Sequence, residues 1–316
     1  MHRMNVLAAL AGAGVVAASG EAGAQQARLA IAPARPTAGA LVRLTVTDSA
    51  ARDTIVAVGG TMAGEPLHFR RASRRVWSAL GGVPVDSLPA PAVEVIARRV
   101  SGRADTLHRV VVPAPLPPPS EQLAVAPRFG EPLDSATEAR VAAEGARARE
   151  IGRRSHETPR MWTAPFIAPR PSAITSRFGT GRLFNGRVTS RHLGVDYRGA
   201  AGEPVRASNR GVVVLVDTFY LGGRLVYVDH GEGVMTAYMH LTRALVRVGD
   251  TVARGERVGL VGATGRVTGP HLHWAARYGT LTVNPLGLLT APSPPPRAPR
   301  GSGARPPRGR RSGARR

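Results

Sequence analysis

The segment TGRVTGPHLHWAARYG sets His271 and His273 two residues apart among apolar and glycine neighbours. Residues i and i+2 of a strand share a face, so in a strand both imidazoles enter one space. A second group lies upstream in SRHLGVDYRGAAGEP, where His192 and Asp196 are four apart with Gly194 between them. The glycines and the β-branched Val195 favour extended chain, in which positions i, i+2 and i+4 share a face that Gly194 leaves bare. Room for an ion is the simplest reason. Zinc in a catalytic site takes three ligands from histidine and carboxylate and keeps a fourth position for water. His192, Asp196 and one of the His271/His273 pair meet that need, and a chain without cysteine has no thiolate to offer instead. Hydrolysis of an amide at such a site also needs groups that move the water's proton and stabilise the oxyanion. The other member of the pair and His240, in TAYMHLT, suit those roles, with Tyr238 and His240 expected on one face of a strand. Spacing alone does not say which of His271 and His273 touches the metal. His230, before a glycine in VDHGEG, reads as a turn residue, and the isolated His68 and His108 as surface.

The elements that must position these residues follow from periodicity. From Ala27 to Pro113 short alternating runs such as ALVRLTVTD and AVEVIARRV are broken by turn residues, a pattern that predicts an immunoglobulin-like β-sandwich over 27–113. Residues 114–172 form a linker. Its PAPLPPPSEQ stretch predicts a semi-rigid spacer. Ser135 followed three residues later by Glu138 is a capping-box pattern, which predicts a helix from Ser135 to Arg153, mostly solvated and connecting in role. Trp162 and Phe166 are expected to pack on the domain C-terminal to them. Residues 173–290 are again β, with strands such as GVVVLVDTFY and VMTAYMHL and glycine at nearly every turn. The expected fold class is all-β: an immunoglobulin-like sandwich, a helical linker and a C-terminal glycine-rich antiparallel domain.

Composition narrows the setting. The chain of 316 residues carries a formal charge of +22, with arginine spread along its length and no lysine. Arginine thickens in the last residues, 291–316, which lack apolar groups large enough for a core and are expected to be a disordered tail able to touch an anionic polymer. Arg3, the short apolar run VLAALAGAGVVAA and the Ala22-Gly23-Ala24 site predict a signal peptide over 1–24, cleaved before Gln25, and not a transmembrane anchor. Export to the periplasm or cell exterior follows from that reading. Charge alone would allow nucleic-acid binding, but no recognition motif accompanies it, so no specific nucleic-acid partner is expected.

The motifs taken together resemble the lysostaphin-type (LytM-type) zinc metallopeptidases that cut peptidoglycan cross-links. The likeness runs from about Ile174 to Leu289 through ITSRFG, HLGVDY, AGEPVRASNRGVVV, VYVDHGEGVMTAYMHL, VGDTVARGERVGLVGATGRVTGPHLHW and VNPLGLL, in the family's order. The resemblance implies that the C-terminal domain is a metallopeptidase, that His192, Asp196 and His273 bind one Zn2+, and that His240 and His271 act on water and the transition state. It also implies peptidoglycan peptides as substrate, with the chain a secreted, cell-wall-associated endopeptidase. Non-catalytic relatives that serve as wall-binding scaffolds or activators of other wall hydrolases typically lack some ligands, and none is missing here. The insertion-like GTGRLFNGRVTS before His192 is expected to reshape one wall of the cleft. A further likeness of VRVGDTVARGERVGLVG to biotinyl or lipoyl carrier hairpins fails on chemistry, because those carry their group on a lysine and this chain has none.

Overall fold

A computed structural model describes residues 26–86 and 89–290 of the chain. The expected signal peptide (1–24) and the arginine-rich tail (291–316) lie outside the described residues. The described part is all-β apart from short helical pieces and one long helix, as the alternating runs predict.

In the first half two four-stranded antiparallel sheets face each other. One contains Ala27–Ala32, Leu41–Asp48, Val76–Gly82 and Arg70–Ser73; the other contains Glu65–Pro66, Ile55–Met62, Ala92–Arg99 and Ala104–Val110. Their inner faces supply Leu44, Val46, Met62, Val93, Val95 and Leu107 to one core. The outer face of the first sheet is also covered: Leu41 and Leu80 pack into the core of the second half beside Leu281 and Leu286. Among the hydrogen bonds that cross this seam are those from the Tyr278 hydroxyl to the Pro66 carbonyl (2.7 Å), from the Asn284 amide to the Gly39 carbonyl (2.7 Å) and from the Thr280 amide to the Glu65 carboxylate (3.0 Å).

The second half is built on a ten-stranded sheet whose central members are Val195–Arg198, His271–Tyr278, Val234–Ala244, Gly223–Gly231 and Gly211–Phe219, all antiparallel. Alternation sends Val195, Tyr197, Leu272, Trp274 and Tyr238 into the main core on one face. The other face carries Leu215, Leu225, Tyr227 and Ala275, which are covered by Ala148 and Ile151 of the helix Ser135–Arg154.

Two elements of the linker, and one histidine of the first half, differ from expectation. The helix starts where predicted, but Asp134 caps it, its carboxylate accepting from the Thr137 amide at 2.7 Å, and Ser135 is already helical. It is docked and not only solvated. Gly152 lies so close to the Gly279 carbonyl that no side chain fits between helix and sheet. The proline-rich stretch is not a free spacer either, because Pro119–Leu123 pairs in parallel with Gly181–Phe184 as an edge of a three-stranded sheet completed by Val188–Arg191. His68, expected at the surface, is half-buried and hydrogen-bonded to His156 (2.9 Å), which bonds Glu65 (2.8 Å). His108 is exposed, as expected.

Candidate active site

Asp196 and His273 are direct cross-strand partners, which places both side chains on the face opposite the main core. His192 is not on the strand with Asp196. The strand begins at Val195, and a bend at Gly194 folds His192 back over it. Gly194 does clear space, but for a ring and not directly for an ion: a Cβ there would run into the His273 imidazole and lie 2.8 Å from the Trp274 carbonyl.

His192 Nε2, Asp196 Oδ1 and His273 Nδ1 converge at mutual distances of 2.9, 2.9 and 3.0 Å. They are the one group among the described residues with at least three such ligand atoms so close together. His192 Nδ1 lies 2.9 Å from the Arg177 carbonyl, so that nitrogen carries the proton and Nε2 faces its neighbours with a lone pair. Two nitrogens and a carboxylate oxygen aimed at one point repel one another unless a cation or proton lies between them. Ligands around tetrahedral zinc, each about 2.0–2.1 Å from the ion, stand about 3.3 Å apart, so these donors fit zinc after opening by a few tenths of an ångström. Burial by itself would raise the Asp196 pKa, yet the adjoining His192 and His273 imidazoles hold it well below the usual carboxylate range. Burial pushes His273 down to about 4 despite the opposing pull of Asp196.

His271 and His240 stand at the rim of this group. The His271 ring donates from Nδ1 to the Gly269 carbonyl and that of His240 from Nδ1 to the Thr264 carbonyl, each at 2.8 Å; neither Nε2 makes a hydrogen bond, and that of His271 lies 3.7 Å from Asp196 Oδ1. Their ring centres are 5.0 Å apart, and His240 is 5.7 Å from His273. Burial and the neighbouring His273 and His271 hold the His240 pKa well below the ordinary histidine value.

The expectation that Tyr238 and His240 share a face fails. One extra residue lies between the pairs Tyr238↔Val226 and Leu241↔Arg224, and His240 has φ +61°. This β-bulge breaks the alternation, sending Tyr238 into the core to bond the Ser208 amide at 2.7 Å while His240 turns toward the other histidines. His230, read as a turn residue, is instead a buried strand residue bonded to the Arg210 carbonyl and the Thr236 hydroxyl, each at 2.8 Å.

A cleft of about 340 Å³ opens beside Asp196 and His271. One wall is the insertion hairpin, through Arg182 and Phe184, and the linker strand, through Glu121 and Leu123. Arg182 is a site residue that sequence reasoning misses: it donates to Asp196 Oδ2 at 2.6 Å, to the Ser176 hydroxyl at 2.9 Å and to Glu121 at 2.9 Å. Ser176 in turn donates to Glu121 at 2.7 Å. A bracket from the linker thus holds the outer oxygen of the candidate metal carboxylate. The only sequence signal for it is a pair of opposite charges, in PPPSEQ and GTGRLF, that no local periodicity connects.

Residues 190–285 match the family model of peptidase family M23. Peptidoglycan DD-endopeptidase ShyA of Vibrio cholerae is 46% identical over 104 residues, which are 32% of this chain and 24% of that protein. DD-carboxypeptidase/endopeptidase Mpg of Neisseria meningitidis is 43% identical over 97 residues, 31% of this chain and 22% of that one. The chain therefore spans about a quarter of the length of these curated relatives. A Pseudomonas aeruginosa crystal structure described under peptidase M23 superposes with a TM-score of 0.60 at 24% identity. It covers 81% of this chain and 95% of the other, and shows that the fold is shared.

Proposed function

We propose, from the match of residues 190–285 to the model of peptidase family M23, that the chain is a secreted, zinc-dependent endopeptidase hydrolysing cross-link or stem peptides of peptidoglycan. The observation that carries the reading is the convergence of His192, Asp196 and His273 within 3.0 Å, with two further histidines beside them whose Nε2 atoms make no hydrogen bond. In this reading residues 173–290 are the peptidase domain, 27–113 a β module and 114–172 the linker between them. The ligand set is His192 Nε2, Asp196 Oδ1 and His273 Nδ1. Zinc bound there supplies a Lewis acid and an acidified water.

The chain's own residues do the rest. His271 and His240 each have Nδ1–H committed to a carbonyl, so each Nε2 can take a proton and, once protonated, donate to a developing oxyanion. Burial and the neighbouring histidines keep His240 neutral, with Nε2 unprotonated. Arg182 steadies the outer oxygen of Asp196 so that the inner one stays aimed at the metal. The peptide lies in the cleft between Phe184 and His271. Export through the predicted signal peptide brings the enzyme to the wall, and no helix of the described residues is long and apolar enough to cross a membrane.

The test is peptide release from purified sacculi by the mature chain, with and without a chelator, alongside its zinc content. Chelator-sensitive release with about one zinc per chain is expected. His271→Ala should keep zinc and lose release, whereas Asp196→Ala should lose zinc. Equal zinc loss in both would overturn the assignment of roles, and absence of both zinc and release would overturn the enzymatic reading.

A further inference from the structure

A second cavity, of about 300 Å³, lies at the seam between the two halves. It is remote from the cluster of histidines. Its lining includes Val234 and Tyr278, which pair with each other five residues along the sheet from the Met239–His273 pair, or about 17 Å at 3.3 Å per residue. Leu80, Trp162, Val234 and Tyr278 give it apolar walls.

Its charges do not balance. Arg43, Arg70, Arg71 and Arg160 line it against one carboxylate, Glu232. Arg70 takes that carboxylate in a salt bridge, and Arg71 donates to the carbonyls of Ile55 (3.1 Å) and Arg74 (3.4 Å). Arg43 and Arg160 are left over. Among the described residues the buried Nε of each has no hydrogen-bond partner, and neither has the indole Nε1 of Trp162, a residue only 2% exposed. Arg160 lies over the Trp162 ring, and burial pushes its pKa down to about 10. Neither guanidinium makes a hydrogen bond or salt bridge with a described residue, so the Nη groups of both remain to take an acceptor from the cavity they line.

We propose that this seam cavity binds an organic carboxylate, its head taken by Arg43 and Arg160 and its apolar body lying against Leu80, Trp162, Val234 and Tyr278. Guanidinium forks match a carboxylate in two parallel hydrogen bonds. The apolar walls select against a bare inorganic anion, and the volume is at the lower end of small-molecule pockets, about 300–1,000 Å³. Arg43 belongs to the first half and Arg160 to the linker beside the second, so the ligand would join them across the seam.

The probes are benzoate, its neutral counterpart benzamide, and inorganic phosphate, titrated into the full mature chain and followed by tryptophan fluorescence and melting temperature. Benzoate should bind saturably and raise the melting temperature, with benzamide and phosphate each at least tenfold weaker. Arg43→Gln and Arg160→Gln, on separate elements, should each weaken benzoate at least tenfold while raising the melting temperature of the unliganded chain, because each removes an unpaired cation. Zinc removal should leave benzoate affinity unchanged, which separates this site from the peptidase reading. Benzamide binding as well as benzoate, phosphate binding as well as benzoate, or affinity unchanged in both variants would overturn the proposal. So would a lower unliganded melting temperature in both variants.

Discussion

Replacing Arg182 by glutamine tests whether the linker bracket sets metal affinity. Arg182 Nη2 donates to Asp196 Oδ2 at 2.6 Å, and the two side chains are only 14% and 7% exposed. A hydrogen bond between charged groups contributes about 1.5–3 kcal/mol, and removing an outer partner of a metal ligand typically costs about 10- to 100-fold in metal affinity. An opposing effect must be weighed, because a cation near the site also repels a metal ion. Here Glu121 bonds the same guanidinium at 2.9 Å, so the Arg182–Glu121 pair is close to neutral and its repulsion largely cancels. Orientation should therefore win, and Arg182→Gln should weaken zinc about 10- to 100-fold. Glu121→Gln, which leaves the Arg182 charge uncompensated, should weaken it as well. The double variant should fall short of the sum, since the two residues share one network. Zinc affinity measured by chelator competition reads this without any substrate. A dissociation constant for Arg182→Gln within about twofold of the parent, well under the 10-fold minimum, would refute the bracket.

Other outcomes follow from single contacts. Gly194→Ala drives a methyl into the His273 ring, and chelator competition should show zinc affinity falling in a chain whose circular dichroism is unchanged. Gly152→Ala meets the Gly279 carbonyl and should destabilise the chain by about 1–3 kcal/mol through overpacking, read as a lower denaturant midpoint with helix and sheet forced apart. Burial pushes the His230 pKa down to about 4, so above pH 6.5 the residue is neutral in folded and unfolded chains alike. As pH falls from about 6.5 toward 4 the unfolded chain takes up the proton first, and about 3 kcal/mol of stability should be lost. Denaturant titrations across that range should show this slope in the parent and a shallower one in His230→Gln, and equal slopes would exclude His230 as the cause.

Much of the site can be read in the amino-acid order because short-range periodicity encodes which neighbours share a face. The pair at His271 and His273 sits on one strand as alternation requires, and the helix over Ser135–Arg154 follows from its helix formers, although its cap is Asp134 and not Ser135. The residue types also exclude thiolate ligands without any structure. Alternation misleads where the backbone leaves regular geometry: a one-residue bulge puts His240 and Tyr238 on opposite sides, and a bend at Gly194 brings His192 over Asp196 without a shared strand. Contacts between distant segments leave no local trace at all. Arg182 meets Glu121 across 61 positions, and Arg43 lines one cavity with Arg160, because the sheets and the docked linker bring those segments together. The sequence by itself determined which groups could hold a metal and move a proton. Only the tertiary structure decided which charges brace the candidate metal carboxylate and which arginines line the seam cavity, since both depend on packing between segments that local pattern does not relate.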